Sequence, residues 1–142
     1  MFKVYKEWII HRDLANGTSR MSEMLIAPAD LILAFGSPGE SDGCKVSGEY
    51  LFHDEKNGVV FTMYDWKSTS LYDERAQSPE QFWAQTKPTT INIGGNHKGD
   101  IEQFKRMVID HIKWVKTGKP FEKEVIGIAQ PIGLFLPGRE EQ

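Results

Sequence analysis

The chain has 142 residues, of which 39% are hydrophobic, 26% charged and 11% aromatic, and its net charge is −3. Such a chain is long and apolar enough for one domain that buries roughly two thirds of its unfolded surface, which excludes a disordered tail. Its slight acidity excludes broad, sequence-blind nucleic-acid binding, and its single Cys44 excludes an internal disulfide or a thiolate zinc cluster.

In chain order, residues 4–10 are rich in β-branched and aromatic side chains and predict a first strand. Asn16-Gly17-Thr18-Ser19 reads as a turn. Residues 28–34 predict a short helix, because Pro28 suits a first helical position and Gly36 with Pro38 stops it. Residues 36–43 form a loop on composition. Two β-rich runs then meet at Asn57-Gly58, whose tolerance of positive φ makes them a strong hairpin signal, so a hairpin is expected over about 45–67.

Further along, Ser78-Pro79 with Gln81 carries a capping box for a short helix that includes Phe82 and Trp83. Residues 89–93 predict a strand broken by Gly94-Gly95-Asn96. Residues 100–117 carry the clearest helix, with Asp100 as cap and Ile101, Phe104, Val108, Ile112 and Val115 as one apolar stripe. Lys113 and Lys116 suit its C-terminal end, and Gly118 and Pro120 stop it. The apolar tail over 125–136 is either a last strand or part of a C-terminal arm (119–142) that packs on another subunit of a homo-oligomer. The expected fold is a single α+β domain over 1–142. An antiparallel sheet built around the central hairpin is packed by the long helix and the short ones. Trp8, Trp66, Trp83 and Trp114 with Phe35, Phe52, Phe61, Phe82 and Phe104 are the expected core.

Three constellations could carry chemistry. The first is Asp65-Trp66-Lys67-Ser68-Thr69-Ser70 at the exit of the hairpin, with Lys45 at its entry. Strand alternation puts Asp65 and Lys67 on one face and Tyr64 and Trp66 on the other. Trp66 or Tyr64 could stack on a base, but lying opposite Lys67 makes the core the expected place for Trp66. An ammonium beside several hydroxyls suits a phosphate, and the bland alternative is a surface lysine beside a turn. The second is Gly94, Gly95, Asn96 and Lys98, a glycine-rich loop leading into the N-terminus of the long helix, where free N–H groups attract anions. A tight turn before a capped helix explains that loop equally well, and it lacks both P-loop and dinucleotide-binding spacing. The third pairs Glu49 with Asp65 and Lys67 in the manner of the metal-dependent PD-(D/E)xK nucleases, although Leu51 stands where their first acid is usual.

His11, His53, His97 and His111 show no metal-binding spacing, and surface or capping roles are expected of them. No catalytic constellation stands out, so no catalytic residue, metal or cofactor is assigned. No segment has a signal core or the ~18 apolar residues of a membrane span, so a cytoplasmic protein without membrane contact is expected.

Residues 34–38 (Ala-Phe-Gly-Ser-Pro), 42–50 (Asp-Gly-Cys-Lys-Val-Ser-Gly-Glu-Tyr), 60–72 (Val-Phe-Thr-Met-Tyr-Asp-Trp-Lys-Ser-Thr-Ser-Leu-Tyr) and 91–95 (Ile-Asn-Ile-Gly-Gly) together resemble a family of small, largely uncharacterised bacteriophage and virus proteins. The likeness spans about residues 28–117. It carries over no catalytic residues, and it implies a role in neutralising a host factor, including cyclic-nucleotide immune signals in the host cytoplasm. The expectation is therefore a non-enzymatic protein that holds a phosphorylated small molecule, a nucleotide among the candidates. Lys45, Asp65, Lys67, Ser68, Thr69, Gly94, Gly95, Asn96 and Lys98 would line its site. The alternatives are an inhibitor docking on a host protein and the metal nuclease.

Overall fold

The computed structural model describes residues 2–5, 14–15, 17–39, 44–118 and 135–137. Its strands are β1 (Phe2–Tyr5), β2 (Ser19–Ile26), β3 (Glu49–Asp54), β4 (Val59–Tyr64), β5 (Thr89–Gly95) and β6 (Phe135–Pro137). Its helices are α1 (Pro28–Phe35), α2 (Pro79–Trp83) and α3 (Ile101–Thr117). The strands make one sheet in the order β2-β5-β4-β3-β1-β6, antiparallel throughout except where β6 lies parallel to β1. The fold is α+β, with the β3–β4 hairpin at the centre of the sheet as expected.

Local signals explain most elements. Pro28 opens α1, and the N–H of Gly36 closes it on the Ile32 carbonyl. Ser78 and Gln81 exchange both bonds of a capping box on α2. The Asp100 carboxylate accepts from the N–H groups of Glu102 and Gln103, and Gly118 ends α3 in the left-handed region. The hairpin closes through residues 55–58, with Gly58 at φ 68° and the Asp54 carboxylate accepting from Lys56 N and Asn57 Nδ2.

The helices cover one sheet face. Phe104 in α3 stacks on Phe61 at 4.4 Å between ring centroids and meets Phe52 and Phe2 edge-on at 5.0 and 5.7 Å. Met24, Ile26, Met63, Ile91 and Ile93 extend this core toward α1 and α2. Burying each such side chain contributes about 1.5–3 kcal/mol. A smaller cluster of Tyr5, Leu51 and Val60, with Leu14 and Ala15 against it, sits on the opposite face.

Several expectations are corrected. The first described strand is Phe2–Tyr5; residues 6–13, with Trp8, and most of the tail lie outside the described residues. Residues 19–26, read as unassigned chain after a turn, form an edge strand carrying a bulge between Arg20 and Ser22. β5 does not break at Gly94 but runs through Gly95. His111 is buried and stacks on Phe35 at 5.2 Å, because it lies two turns beyond Phe104 on the same helix face.

Candidate functional site

The site is built by the way β4 ends. Asp65, 0% exposed, turns toward the preceding loop and accepts from Ser47 N at 2.8 Å, Gly48 N at 2.9 Å and Ser47 Oγ at 2.9 Å. Ser47 Oγ in turn accepts from Trp83 Nε1 at 3.0 Å, which ties the loop to α2. Burial pushes the Asp65 carboxyl above its ordinary value, against the pull of the Gly48 and Ser47 bonds. Asp65 is thus a clamp under the surface, with its oxygens spent on the chain itself.

Regular alternation stops there. Lys67 adopts φ 57°, and its N–H donates to the Lys45 carbonyl at 2.6 Å, so residues 44–45 and 66–67 run side by side. Contrary to expectation, Trp66 faces solvent at 46% exposure and is not in the core. The Lys67 ammonium lies 5.5 Å from the Trp66 ring centroid, and that of Lys45 lies 5.7 Å from it. Tyr72, returned by a turn in which its N–H meets the Thr69 carbonyl at 3.0 Å, brings a second ring to 4.9 Å from the Lys67 ammonium. Tyr72 and the adjacent Leu71 are 48% and 44% exposed. The nearby Asp73 carboxylate is engaged by Arg75, whose side-chain bond holds its pKa below the usual carboxylate range.

Of the residues expected here, the structure therefore brings Lys45 and Lys67 together. Ser68 is beside them, with Oγ donating to the Trp66 carbonyl at 3.1 Å. Asp65 and Thr69 are buried beneath; Thr69 Oγ1 accepts from Leu71 N at 3.4 Å and helps form the turn. Tyr72 is what sequence reasoning missed, and Trp66, weighed as a stacking ring, is assigned by it to the core instead. Their signal was present: past Tyr64 the run Asp-Trp-Lys-Ser-Thr-Ser loses apolar alternation and gains turn formers, so the strand could not be carried on through Trp66.

The glycine loop is elsewhere. Gly94 and Gly95 pair with Thr62 and Phe61 in mid-sheet, and Asn96 N donates to the Val60 carbonyl. These contacts run the loop from mid-strand toward the Val59 end of β4, with Gly94 ~10 Å and Asn96 ~17 Å along the strand from Asp65. The glycines answer to packing: a Cβ on Gly94 would stand 2.7 Å from Thr62 Oγ1, and one on Gly95 2.5 Å from Met21 Sδ. The Asn96 side chain is spent on Val60 N, Gly58 O and Lys98 N. The first-turn N–H groups of α3 already hold a carboxylate, that of Asp100, which repels a second anion. Lys98 is exposed and borders a recess of about 560 Å³ with Asp54, Asn57 and Gln103.

The nuclease arrangement does not assemble. Glu49 pairs with Tyr64 and shares its face, while Asp65 points the other way into Ser47 and Gly48. Among the described residues no group of three or more His, Cys, Asp or Glu could hold a metal ion. On the Glu49 face, Arg20 Nε donates to Asn92 Oδ1 at 3.0 Å and Arg20 Nη2 to Glu23 Oε1 at 2.6 Å, so that cation is paired. Among the described residues no helix is long and apolar enough to cross a membrane.

The chain matches no protein-family model and no curated protein.

Proposed function

We propose that this chain is a non-enzymatic binding protein that holds a phosphorylated small molecule on the surface formed by Lys45, Trp66, Lys67, Ser68 and Tyr72. One observation carries the reading: two ammonium groups from different segments converge on a single exposed ring, at 5.7 and 5.5 Å. Each ammonium can donate charge-assisted hydrogen bonds to a dianionic phosphate seated beside the ring. The Ser68 hydroxyl is within the same turn, its proton engaged by the Trp66 carbonyl. The resemblance to small phage proteins supports a host signalling compound as the occupant and sequestration as the outcome.

Calorimetry with pyrophosphate, sugar phosphates and linear and cyclic nucleotides tests this directly. At least one compound should bind, and Lys67→Ala should weaken it by ~1.5–3 kcal/mol, roughly ten- to a hundredfold. No heat from any of them with folded protein overturns the reading.

A second reading, docking of an acidic host protein, draws on the exposure of Leu71 beside Tyr72. It predicts that Leu71→Ala weakens capture of that partner, a change to which a phosphate compound should be indifferent.

A further inference from the structure

We infer that Trp66 and Tyr72 are a stacking platform for an aromatic base, which makes the ligand a nucleotide and not a sugar phosphate or pyrophosphate; this deepens, and rests on, the phosphate reading of Lys45 and Lys67. Phosphate capture alone needs no exposed rings. This fold buries Tyr50, Phe52, Phe61, Phe82, Phe104 and Trp83, yet it leaves Trp66 and Tyr72 about half in water, each ring centroid within 5.5 Å of the Lys67 ammonium.

The backbone that carries the two rings is held in place from below. Trp66 lies between the clamped Asp65 and the bond from Lys67 N to the Lys45 carbonyl, and its own carbonyl accepts from Ser68 Oγ. Tyr72 is fixed by its bond to the Thr69 carbonyl, with Thr69 buried. A platform ordered before binding loses little entropy when a ligand lands on it.

In the structure the Lys67 ammonium is the neighbour of both rings. A cation over an exposed ring is worth less than a stacked base, and a lysine bonded to a phosphate is worth more again. A nucleotide therefore exchanges one set of contacts for a better one. Its phosphate draws the flexible Lys67 side chain off the rings, and its base takes the ring surface that the ammonium leaves. A ligand without a base would gain only the first half of this exchange.

The test is calorimetry on the full chain with three probes: adenosine monophosphate, its 3′,5′-cyclic form and ribose 5-phosphate. At least one adenine nucleotide should bind about tenfold or more tightly than ribose 5-phosphate. Trp66→Ala should weaken the nucleotide by ~5- to 100-fold, down to the level of ribose 5-phosphate, and leave ribose 5-phosphate unchanged. Trp66→Phe should retain most of the affinity. Trp66 is a surface ring, and an unchanged thermal midpoint in each variant confirms that the fold is intact. Equal binding of the three probes, indifferent to Trp66→Ala but lost in Lys67→Ala, overturns the base platform and leaves the phosphate reading standing. A nucleotide preference unaffected by Trp66→Ala overturns the platform as well. Binding of none of the probes to the wild type overturns the inference outright, and pyrophosphate or another sugar phosphate then decides whether the phosphate reading falls with it.

Discussion

The two ends of β4 begin from similar material and finish differently. At the Val59 end, Asp54, Asn57 and Asn96 use their side chains to stitch the hairpin turn to β5. At the other end Asp65 does the same stitching from beneath, and the residues above it, Trp66, Lys67 and Tyr72, are left to solvent. Both ends hold an aspartate that accepts backbone hydrogen bonds, yet their carboxyls move in opposite directions. The Asn57 side-chain bond holds Asp54 below its ordinary pKa, and burial lifts Asp65 above it. A polar group spent on the chain makes structure; exposed cations and rings over a buried clamp make the surface on which the proposed ligand would sit.

The largest expected effect tests that clamp. Asp65→Ala leaves the buried N–H groups of Ser47 and Gly48 without their acceptor and should destabilise the fold by about 3–5 kcal/mol in urea unfolding. Asp65→Asn keeps an acceptor on those two N–H groups and should stay within about 1 kcal/mol of wild type at neutral pH. The pH dependence follows from the raised pKa. Folded Asp65 binds its proton more tightly than the unfolded chain does, so its contribution favours folding as pH falls through the raised value toward the ordinary one near ~4. The stability of Asp65→Asn relative to wild type should accordingly be highest at neutral pH and decline on acidification. Asp54 works in the opposite sense: its contribution is present above the ordinary carboxylate range and is lost as pH falls through the lowered value. If Asp65→Asn and wild type keep a constant difference across this range, the clamp is not titrating as burial requires.

A smaller effect probes the stitched end. Asn96→Ala removes the acceptor of Val60 N and the donor to Gly58 O, both partly buried, and should cost about 1–3 kcal/mol. It should leave nucleotide or phosphate binding at Trp66 unchanged, because Asn96 lies ~17 Å along β4 from Asp65. A loss of binding in this variant would mean that the ends are coupled and that the glycine loop belongs to the site after all.

What could be read in the sequence was local. Ser78-Pro79-Gln81, Asp100 with Gly118, Pro28 with Gly36, and Asn57-Gly58 each carry their stereochemical reason within a few residues, and each marks its element correctly. β2 carries no such mark: Ser-Arg-Met-Ser-Glu-Met-Leu-Ile is poor in β-branched residues, and its bulge breaks the alternation that would reveal a strand. Its pairing with β5 is a tertiary decision. The site was half legible for a similar reason. Lys45 and Lys67 could be named because hairpin entry and exit lie together, whereas the strand rule gives the face Trp66 is on but not whether anything covers it, and Trp66 is 46% exposed. The glycine loop looks phosphate-like in sequence, but packing against Thr62, Phe61 and the Val60 carbonyl is enough by itself to call for glycine there.

The smallest effect concerns Lys67 itself and separates its backbone from its side chain. An L residue at φ 57° carries strain of about 1 kcal/mol that glycine does not. Here that conformation is enforced by the 2.6 Å bond from Lys67 N to the Lys45 carbonyl, which any residue but proline can make. Lys67→Ala keeps the strain and loses two exposed cation–π contacts, and it should cost no more than about 1–2 kcal/mol. Lys67→Gly loses the same contacts but relieves the strain, and it should be the more stable of the two by about 1 kcal/mol in thermal or urea unfolding. Binding should respond differently, since both variants lack the ammonium and should lose affinity to a similar degree. Stability would then rise from alanine to glycine while binding stays equally poor, the pattern expected of a strained position retained for its side chain. If alanine proves the more stable, the left-handed turn is not being held by Lys45. The convergence of Lys45 and Lys67 on Trp66 would then lose its structural cause.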